Sequence, residues 1–383
     1  MALAFMIVAA LSGFCALHPF TTYPASLWLL RRFRFFPLPP RTSAAPASFE
    51  LAICMCAYNE EKIIDAKMVN LLALKRAYSG LEILIYVDAA SDRTAELLRA
   101  HEQEIRLFVS TERLGKTHGM NLLVSKVTKP IIMFTDANVL IDQAAPARLL
   151  RYFIDPAIGC VSGHLQHLHA DVTATAHSSS LYWRLDEWTK RLETDTGSAI
   201  GADGSLFAVR RELHRPPPNN IIEDMYVSMM IFCEGHRVVQ ADDVIAYEES
   251  IALAKDEFKR KIRVASCAFN VHRVLWPRVR TLSWLTRYKY ISHKWIRWFT
   301  IYFLAAGVVS FEIALVLAGA RTAASALAAF AACALLGGAA SSRGPLAQIW
   351  NILSAFVATG LGVLRSVRGE RLQTWTPVSS IRK

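Results

Sequence analysis

Four carboxylates and one amide stand out by position. Asp88 ends the apolar run "LEILIYV", and Asp136 ends "PIIMFT". Asn138 follows Asp136 by two residues in "FTDAN", and Glu223 and Asp224 open the helical stretch "EDMYVSMMIF". Hard oxygen ligands of this kind hold a divalent cation. A carboxylate within hydrogen-bond reach of a hydroxyl can take its proton. A lone acid at a strand end is more often a turn former or a helix cap. Two acids ending two separate strands, with a third acidic position beside them, favour a shared site.

The elements that position these residues can be read from the pattern. "LAICMCA" is a buried strand running into the polar "YNEE". Residues 60–77 carry helical periodicity on Ile63, Ile64, Met68, Leu71 and Leu72. Residues 81–101 read as strand, loop and helix, with "SDRTAELL" as a capped helix start. "IRLFVS" is a further strand, "GKTHGMNLLVSKV" a glycine-rich loop opening a helix, and "KPIIMFTDAN" the next strand. Strands alternating with helices predict an α/β fold with a doubly wound, mostly parallel sheet. Ligands of such sheets bind beyond the carboxyl ends of the strands, where Asp88 and Asp136 stand.

This set suits sugar transfer from a nucleotide diphosphate. The departing diphosphate wants a divalent cation on hard oxygens such as Asp136. The acceptor hydroxyl wants a base, for which Asp224 is placed, and basic residues can stabilise the charge that grows on the leaving group.

Here the chain resembles the family-2 glycosyltransferases of GT-A fold, the cellulose-synthase-like group, over residues of about 49–300. "AYNEE", "VDAASDRTAE", "RLGKTHGMN", "FTDAN", "GADGSLFAVRREL", "IEDM" and "FKRKIRVA" look like seven of that family's motifs in order. Each is weak alone; the order makes them specific. The resemblance implies a Rossmann-like mixed, mostly parallel sheet with flanking transmembrane and interfacial helices, and an inverting transfer using Mg2+ or Mn2+. It implies Asp224 as base with Glu223 beside it, and Asp136 and Asn138 at the metal. Donor contacts fall to Tyr58, Glu60, Asp88 at the nucleobase, Lys116, Asp136, Arg260 and Arg263. Gly204 and Trp183 lie on the acceptor side.

Three positions depart from the family pattern. Ala89 stands where Gly is usual. Asn138 replaces the second Asp of the common DxD, which removes one formal charge while keeping a carbonyl able to bond metal or water. Val264 stands where processive synthases usually carry Trp, which speaks against processive polymerisation. The histidines of "GHLQHLHA" lack an acid to complete a zinc set. Tyr182, Trp183 and Trp188 read as core aromatics or as a stacking surface for sugar. "HRPPPNN" is a stiff loop before Glu223.

The two ends are apolar and the middle carries most of the charge. Hydrophobic residues make up 53% of 383. Residues 1–30, broken near Pro19 and Pro24 and followed by "RRFRFF", predict a membrane anchor with a basic cytoplasmic flank. Residues 31–48 are a linker and 49–280 a cytosolic catalytic domain. Residues 281–298, rich in Trp, Tyr and basic side chains, predict an interfacial amphipathic helix. Residues 299–340 predict a transmembrane hairpin, and 341–383 an interfacial or re-entrant helix with a basic tail that includes Trp375. The net charge of +11 fits positive-inside bias and anionic headgroups, and nothing points to nucleic acid. The seven cysteines are scattered, which predicts reduced thiols.

The expected partners are a nucleotide-diphosphate sugar, which the resemblance implies to be a UDP-sugar, a lipid-linked or saccharide acceptor, and membrane lipids. The expected location is the cell inner membrane, multi-pass, with the catalytic domain cytoplasmic. Two alternatives stay open: a processive polysaccharide synthase, and an inactive membrane scaffold or nucleotide-sensing homologue.

Overall fold

The computed structural model describes residues 1–33, 50–168, 174–249, 254–341, 344–371 and 373–374, with backbone alone for 174–181 and 254. Most of the predicted linker, His169, and the tail from Trp375 onward lie outside the described residues. In chain order the elements are α1 (Ala2–Leu17), α2 (Thr22–Arg32), β1 (Leu51–Ala57), α3 (Ile64–Ala77), β2 (Glu82–Asp88), α4 (Thr94–Arg99), β3 (Arg106–Ser110) and α5 (Lys116–Lys126). Then come β4 (Ile131–Asp136), β5 (Val139–Ile141), α6 (Ala145–Tyr152), β6 (Ile158–Leu168), α7 (Ala174–Asp195), β7 (Leu206–Arg210), α8 (Glu223–Cys233) and β8 (Arg237–Glu249). The remainder is helical: α9 (Ala254–Val279), α10 (Trp284–Tyr290), α11 (Ile296–Trp298), α12 (Thr300–Leu317), α13 (Arg321–Ala340) and α14 (Pro345–Val367).

Eight strands form one sheet in the order β3-β2-β1-β4-β7-β6-β8-β5. The first four are mutually parallel, β7 is antiparallel to both β4 and β6, β6 is parallel to β8, and β5 is antiparallel to β8. The runs that read as continuous apolar stretches are strands buried on both faces. One face carries Ile53, Met55, Ile83, Ile85 and Met133 against α3, which buries Ile64, Met68, Leu71 and Leu74. The other carries Cys54, Leu84, Tyr86, Ile132 and Phe134 against α5 and α8. Register sets Cys56 beside Asp136 and Ala57 beside Val87. The carboxyl ends of β1, β2 and β4 therefore finish on one edge, with Asp88 and Asp136 on it.

Among the described residues four helices are long and apolar enough to cross a membrane: Ala2–Phe20, Thr300–Leu317, Arg321–Ala340 and Pro345–Val367. The N-terminal apolar region has two arms, of which the first lies in the candidate span Ala2–Phe20. Its second arm, α2, docks on α7: Tyr23 and Leu27 pack with Leu192, the Tyr23 hydroxyl donates to Glu193, and Arg31 pairs with Asp195.

The segment expected to be an interfacial helix is helical from Trp284 to Trp298: α10 runs through a π turn over Ile291–Trp295 into α11. Trp284 stays exposed at 69%, but Lys289, His293 and Arg297 are buried. The reason is pairing: Lys289 donates to the carbonyls of Glu193 and Thr196, while His293 and Arg297 meet acids of α7. Sequence composition alone does not reveal that these cations have buried partners.

The region 346–364 is a helix of potential spanning length with a second role. Gly360 lies against Ile301 and Tyr302 at the start of α12, and Gly362 against Ile262 and Ala265 of α9. The C-terminal part of α14 is thus packed against α9 and the start of α12. Glu370 and Gln373 beyond it are also held: Asn270 donates to the Glu370 carbonyl, and the Gln373 amide donates to the Leu114 carbonyl.

Candidate active site

A cavity of about 480 Å³ opens at the carboxyl edge of the sheet. It gathers every predicted site residue, from Tyr58 and Glu60 through Arg263, Trp183 and Gly204. The edges of β1, β2, β4 and α8 supply its acidic wall, α9 its basic wall, and α7, the π turn, α11 and α14 the far side.

Asp88 is held inside the wall. Its carboxylate accepts from the backbone N–H groups of Leu114 (2.8 Å) and Gly115 (3.0 Å), and from the Tyr86 hydroxyl at 3.3 Å. It therefore fixes the loop that opens α5. The same loop presents Arg113, whose guanidinium lies 3.7 Å over the Tyr58 ring. Ala89, next in chain, has φ +52°, a left-handed conformation that glycine adopts more cheaply. Glu60 is buried, and its N–H donates to Thr94 Oγ1 at 2.7 Å.

Lys116 opens α5 and joins two acids. Its Nζ is 2.7 Å from Asp136 Oδ1 and 2.7 Å from Glu223 Oε1. The two carboxylates hold its ammonium well above the usual lysine range, against the opposing effect of burial. Asp136 is about one-third exposed to the cavity. Asn138 donates from Nδ2 to Glu248 Oε1 at 2.7 Å, which turns its carbonyl oxygen away from that bond.

Glu223 and Asp224 occupy the first turn of α8, where the helix dipole favours negative charge. The Asp224 carboxyl is nevertheless raised to about 7, first by burial and then by Glu223. Its Oδ1 accepts from the Met225 N–H at 2.6 Å, and Gly204 lies against the other oxygen. A Cβ at residue 204 would sit 2.5 Å from Asp224 Oδ2, so only glycine leaves room for that carboxylate. Thr117 Oγ1 donates to the Ile221 carbonyl and Asn121 to the Pro217 carbonyl, which ties the proline-rich loop to α5.

Arg260 is 3.4 Å from Glu257 Oε2, and Lys261 is 2.9 Å from Oε1 of the same acid. Arg263 and Val264 also line the cavity. Trp183 faces the ring of His167 at 5.5 Å and the ammonium of Lys190 at 5.9 Å. The two described histidines of "GHLQHLHA" pair with acids: His164 with Glu187 at 2.6 Å, and His167 with Glu248 at 3.8 Å. Among the described residues no three His, Cys, Asp or Glu side chains form a self-sufficient metal site.

Sequence reading missed Glu248, the penultimate residue of β8. Burial raises its carboxyl to about 7, and it touches Asn138. No motif marks it; only the pairing of β5 with β8 brings it to Asn138. Reading also missed Asp186, Lys190, His293, Lys294 and Arg297, all of which line the far side of the cavity. The Asp186–Lys190 spacing of four on a helix was the one visible signal.

Residues 52–215 match the family model for glycosyl transferase family 2. Over 195 residues the chain is 28% identical to the poly-beta-1,6-N-acetyl-D-glucosamine synthase of Staphylococcus aureus strain COL, covering 49% of this chain and 47% of that one. It is 28% identical over 239 residues to the synthase of the same name from Staphylococcus epidermidis, covering 60% and 58%. The chain thus matches about half the length of these curated relatives. Mannosyltransferase PcManGT from Pyrobaculum calidifontis, solved in complex with GDP-Man and Mn2+, shares the fold at TM-score 0.72 and 20% identity, over 94% of this chain and 99% of its own. Residues 52–215 thus match a glycosyl transferase family 2 region, and the mixed sheet that carries it has a GT-A-like fold.

Proposed function

We propose that the protein is an inverting glycosyltransferase that moves a sugar from a nucleotide-diphosphate sugar to a lipid-linked acceptor at the membrane. One observation carries the acceptor side. The cavity that holds Asp136, Glu223 and Asp224 is also lined by Ala355, Phe356 and Thr359 of α14, a helix of membrane-spanning length. A hydroxyl on a membrane-held molecule has a route to Asp224 along that wall.

In this reading Asp224 takes the proton of the acceptor hydroxyl as its oxygen bonds to the anomeric carbon. The bond from that carbon to the diphosphate breaks, and the nucleotide diphosphate leaves. A carboxyl poised near 7 suits a general base at neutral pH. Gly204 leaves space for the carboxylate. Asp88 holds the 114–115 loop beside the donor, and Tyr58 with Arg113 offers a flat surface for a base. Lys116, Arg260 and Arg263 supply positive charge to the diphosphate.

A divalent cation fits the oxygen set of Asp136 and the Asn138 carbonyl, because Mg2+ and similar ions are held by one or two carboxylates together with substrate phosphates. When bound it would neutralise charge on the leaving diphosphate. The body of residues 49–280 would face the cytoplasm, with the basic tail on the same side.

The relatives named as polymer synthases favour a second reading, repeated transfer. Val264 leaves the cavity wall without the bulky ring that the family resemblance leads one to expect of a processive enzyme. The deciding experiment is a donor screen with full-length protein in lipid. It would follow nucleotide diphosphate release with and without Mg2+ or Mn2+, together with product length. Cation-dependent release and a single added sugar support the proposal. No release with any donor would defeat it, and long products would favour polymerisation.

A further inference from the structure

The far end of the cavity holds more positive charge than its own acids balance. Asp186 on α7 is the first acid there. It lies 3.0 Å from Lys190 Nζ and 3.1 Å from His293 Nε2, and it also pairs with Arg297. Glu193 is the second acid of the cluster; it pairs with His293 and accepts from Tyr23 and the Ile200 N–H. Arg297 is 8% exposed, yet its Nε and Nη2 have no hydrogen-bond acceptor among the described residues. Lys294 lines the same space with no hydrogen bond or ion pair among the described residues. Burying guanidinium N–H groups without acceptors is costly, and surplus buried cations are costlier still. An anion in the cavity would relieve both.

The surroundings indicate what kind of anion. Arg297 lies 5.3 Å under the ring of Phe20, the last residue of the first candidate span, and three residues before Thr300, where the next begins. Phe20 in turn packs against Phe356 of α14 at 5.4 Å. The cationic end therefore sits where three apolar helices meet the catalytic body. It also adjoins the proposed base. Lys294 Nζ comes within 3.8 Å of where a Cβ at Gly201 would stand, and the Gly201–Gly204 loop ends against Asp224. Tyr182 lies over the Arg297 guanidinium at 4.9 Å. The π turn that carries Lys294 is an uncommon local geometry, one often found at functional sites.

We infer that Lys190, Lys294 and Arg297 form a subsite for the phosphate group of a lipid phosphate, which anchors the acceptor between the apolar helices and Asp224. The inference rests on the glycosyltransferase reading for the word acceptor, but the binding itself does not. Guanidinium and ammonium groups recognise phosphate oxygens through charge-assisted hydrogen bonds. The chain of the lipid would lie along Phe20 and Phe356.

The test uses full-length protein in phosphatidylcholine nanodiscs containing a long-chain alkyl phosphate monoester, with the matching alkyl alcohol as control. Bound lipid is counted by native mass spectrometry, and nucleotide diphosphate binding is titrated separately. Retention of the phosphate lipid over the alcohol is expected, together with at least a tenfold weakening in Lys294→Gln. Lys294 has no partner to strand, so this variant should fold; Arg297→Gln is the second variant, checked by its melting temperature. Equal retention of the alcohol, or unchanged binding in a folded Lys294→Gln, would overturn the subsite. Displacement of the lipid by inorganic phosphate at equal concentration would assign the site to the free anion and overturn the lipid assignment. Failure of lipid binding with donor turnover intact would leave the transferase reading standing, and the reverse outcome would separate them the other way.

Discussion

The two ends of the cavity are charged in opposite senses. At the strand edge one ammonium, Lys116, is shared by two carboxylates, Asp136 and Glu223. Asp224 and Glu248 beside them are held above the ordinary carboxylate range by burial. At the helical end one carboxylate, Asp186, is shared by Lys190, His293 and Arg297. Desolvated charge of one sign is tolerated only when something answers it. The acidic end gathers more carboxylates than Lys116 pairs with, and the basic end more cations than Asp186 pairs with. On the proposed reading a metal-bound donor answers the first and a phosphate-bearing acceptor the second, and both components of the reaction meet at Asp224.

The sharpest way to break that comparison is to neutralise the carboxyl between the two ends. Asp224→Asn is expected to lower turnover by about 10²-fold or more, the scale of lost general-base catalysis, while donor binding persists. Near-normal turnover would remove Asp224 from the role. The same variant has a thermodynamic signature. The folded carboxyl is raised from 3.8 to about 7, so between those values the folded state holds a proton that the unfolded chain has released. Stability therefore falls as pH rises through that window. Asparagine imitates the protonated form, so the variant should melt a few degrees above the native protein at pH 8. The gap should close as pH drops toward 4. Parallel melting curves at all pH values would show that the carboxyl is not strained.

The next test separates the two oxygens of "FTDAN". Asp136→Asn is expected to reduce cation-dependent nucleotide release by about 10²-fold, because it removes the hard anionic ligand. Asn138→Asp should retain activity or shift its cation requirement to lower Mn2+ concentration. Titration of both variants with Mn2+ would decide it, and equal losses would sink the ranking. The new carboxylate in Asn138→Asp also faces Glu248, so any loss should be greatest at high pH, where both are ionised.

A smaller effect tests position instead of charge. Gly204→Ala puts a methyl group 2.5 Å from Asp224 Oδ2. The carboxylate must shift, and a misplaced base costs about 10-fold, less than a missing one. The expected result is a lower kcat with little change in the donor's KM. An unchanged kcat would mean that Asp224 is free to move without penalty.

How much of this was legible beforehand follows the same division between the ends. The parallel half, β3-β2-β1-β4, is local: β2 and β4 are apolar runs that end on Asp88 and Asp136, and both acids line the cavity. Asp88, Lys116, Asp136 and Asp224 could be read as one cluster because each stands in a local motif at an element end that lines the cavity. The other end is assembled from residues about a hundred positions apart. His293 meets Asp186 and Glu193 only after α10 and the π turn fold onto α7. Read alone, "SWLTRYKYISHKWIRWF" has the composition of a membrane-surface helix, and nothing local distinguishes a solvated lysine from Lys289, buried against carbonyls of α7 and its following turn. Glu248 was hidden for the same reason, since antiparallel pairing of β5 with β8 is non-local.

The smallest expected effect lies at the donor end and concerns the backbone. Ala89 follows Asp88 at φ +52°, where an L-residue with a Cβ pays about 1 kcal/mol relative to glycine. The position stays in that conformation because its neighbours fix it on both sides. Asp88 is bound to the 114–115 amides, and the Ser91 N–H donates to Asn59 Oδ1 at 2.8 Å. Asn59 is itself left-handed at φ +54°. Ala89→Gly should relieve the strain without moving Asp88, giving a melting temperature equal to or slightly above the native value and unchanged donor affinity. The gain is limited because glycine also frees the unfolded chain. A clear loss of stability would mean that the methyl group contributes packing against the α3–α4 face that outweighs the backbone strain. A change in donor affinity would show that Asp88 is held by the rigidity of residue 89 as well as by its own hydrogen bonds. That outcome would move the donor end closer to the helical end, where position depends on distant support.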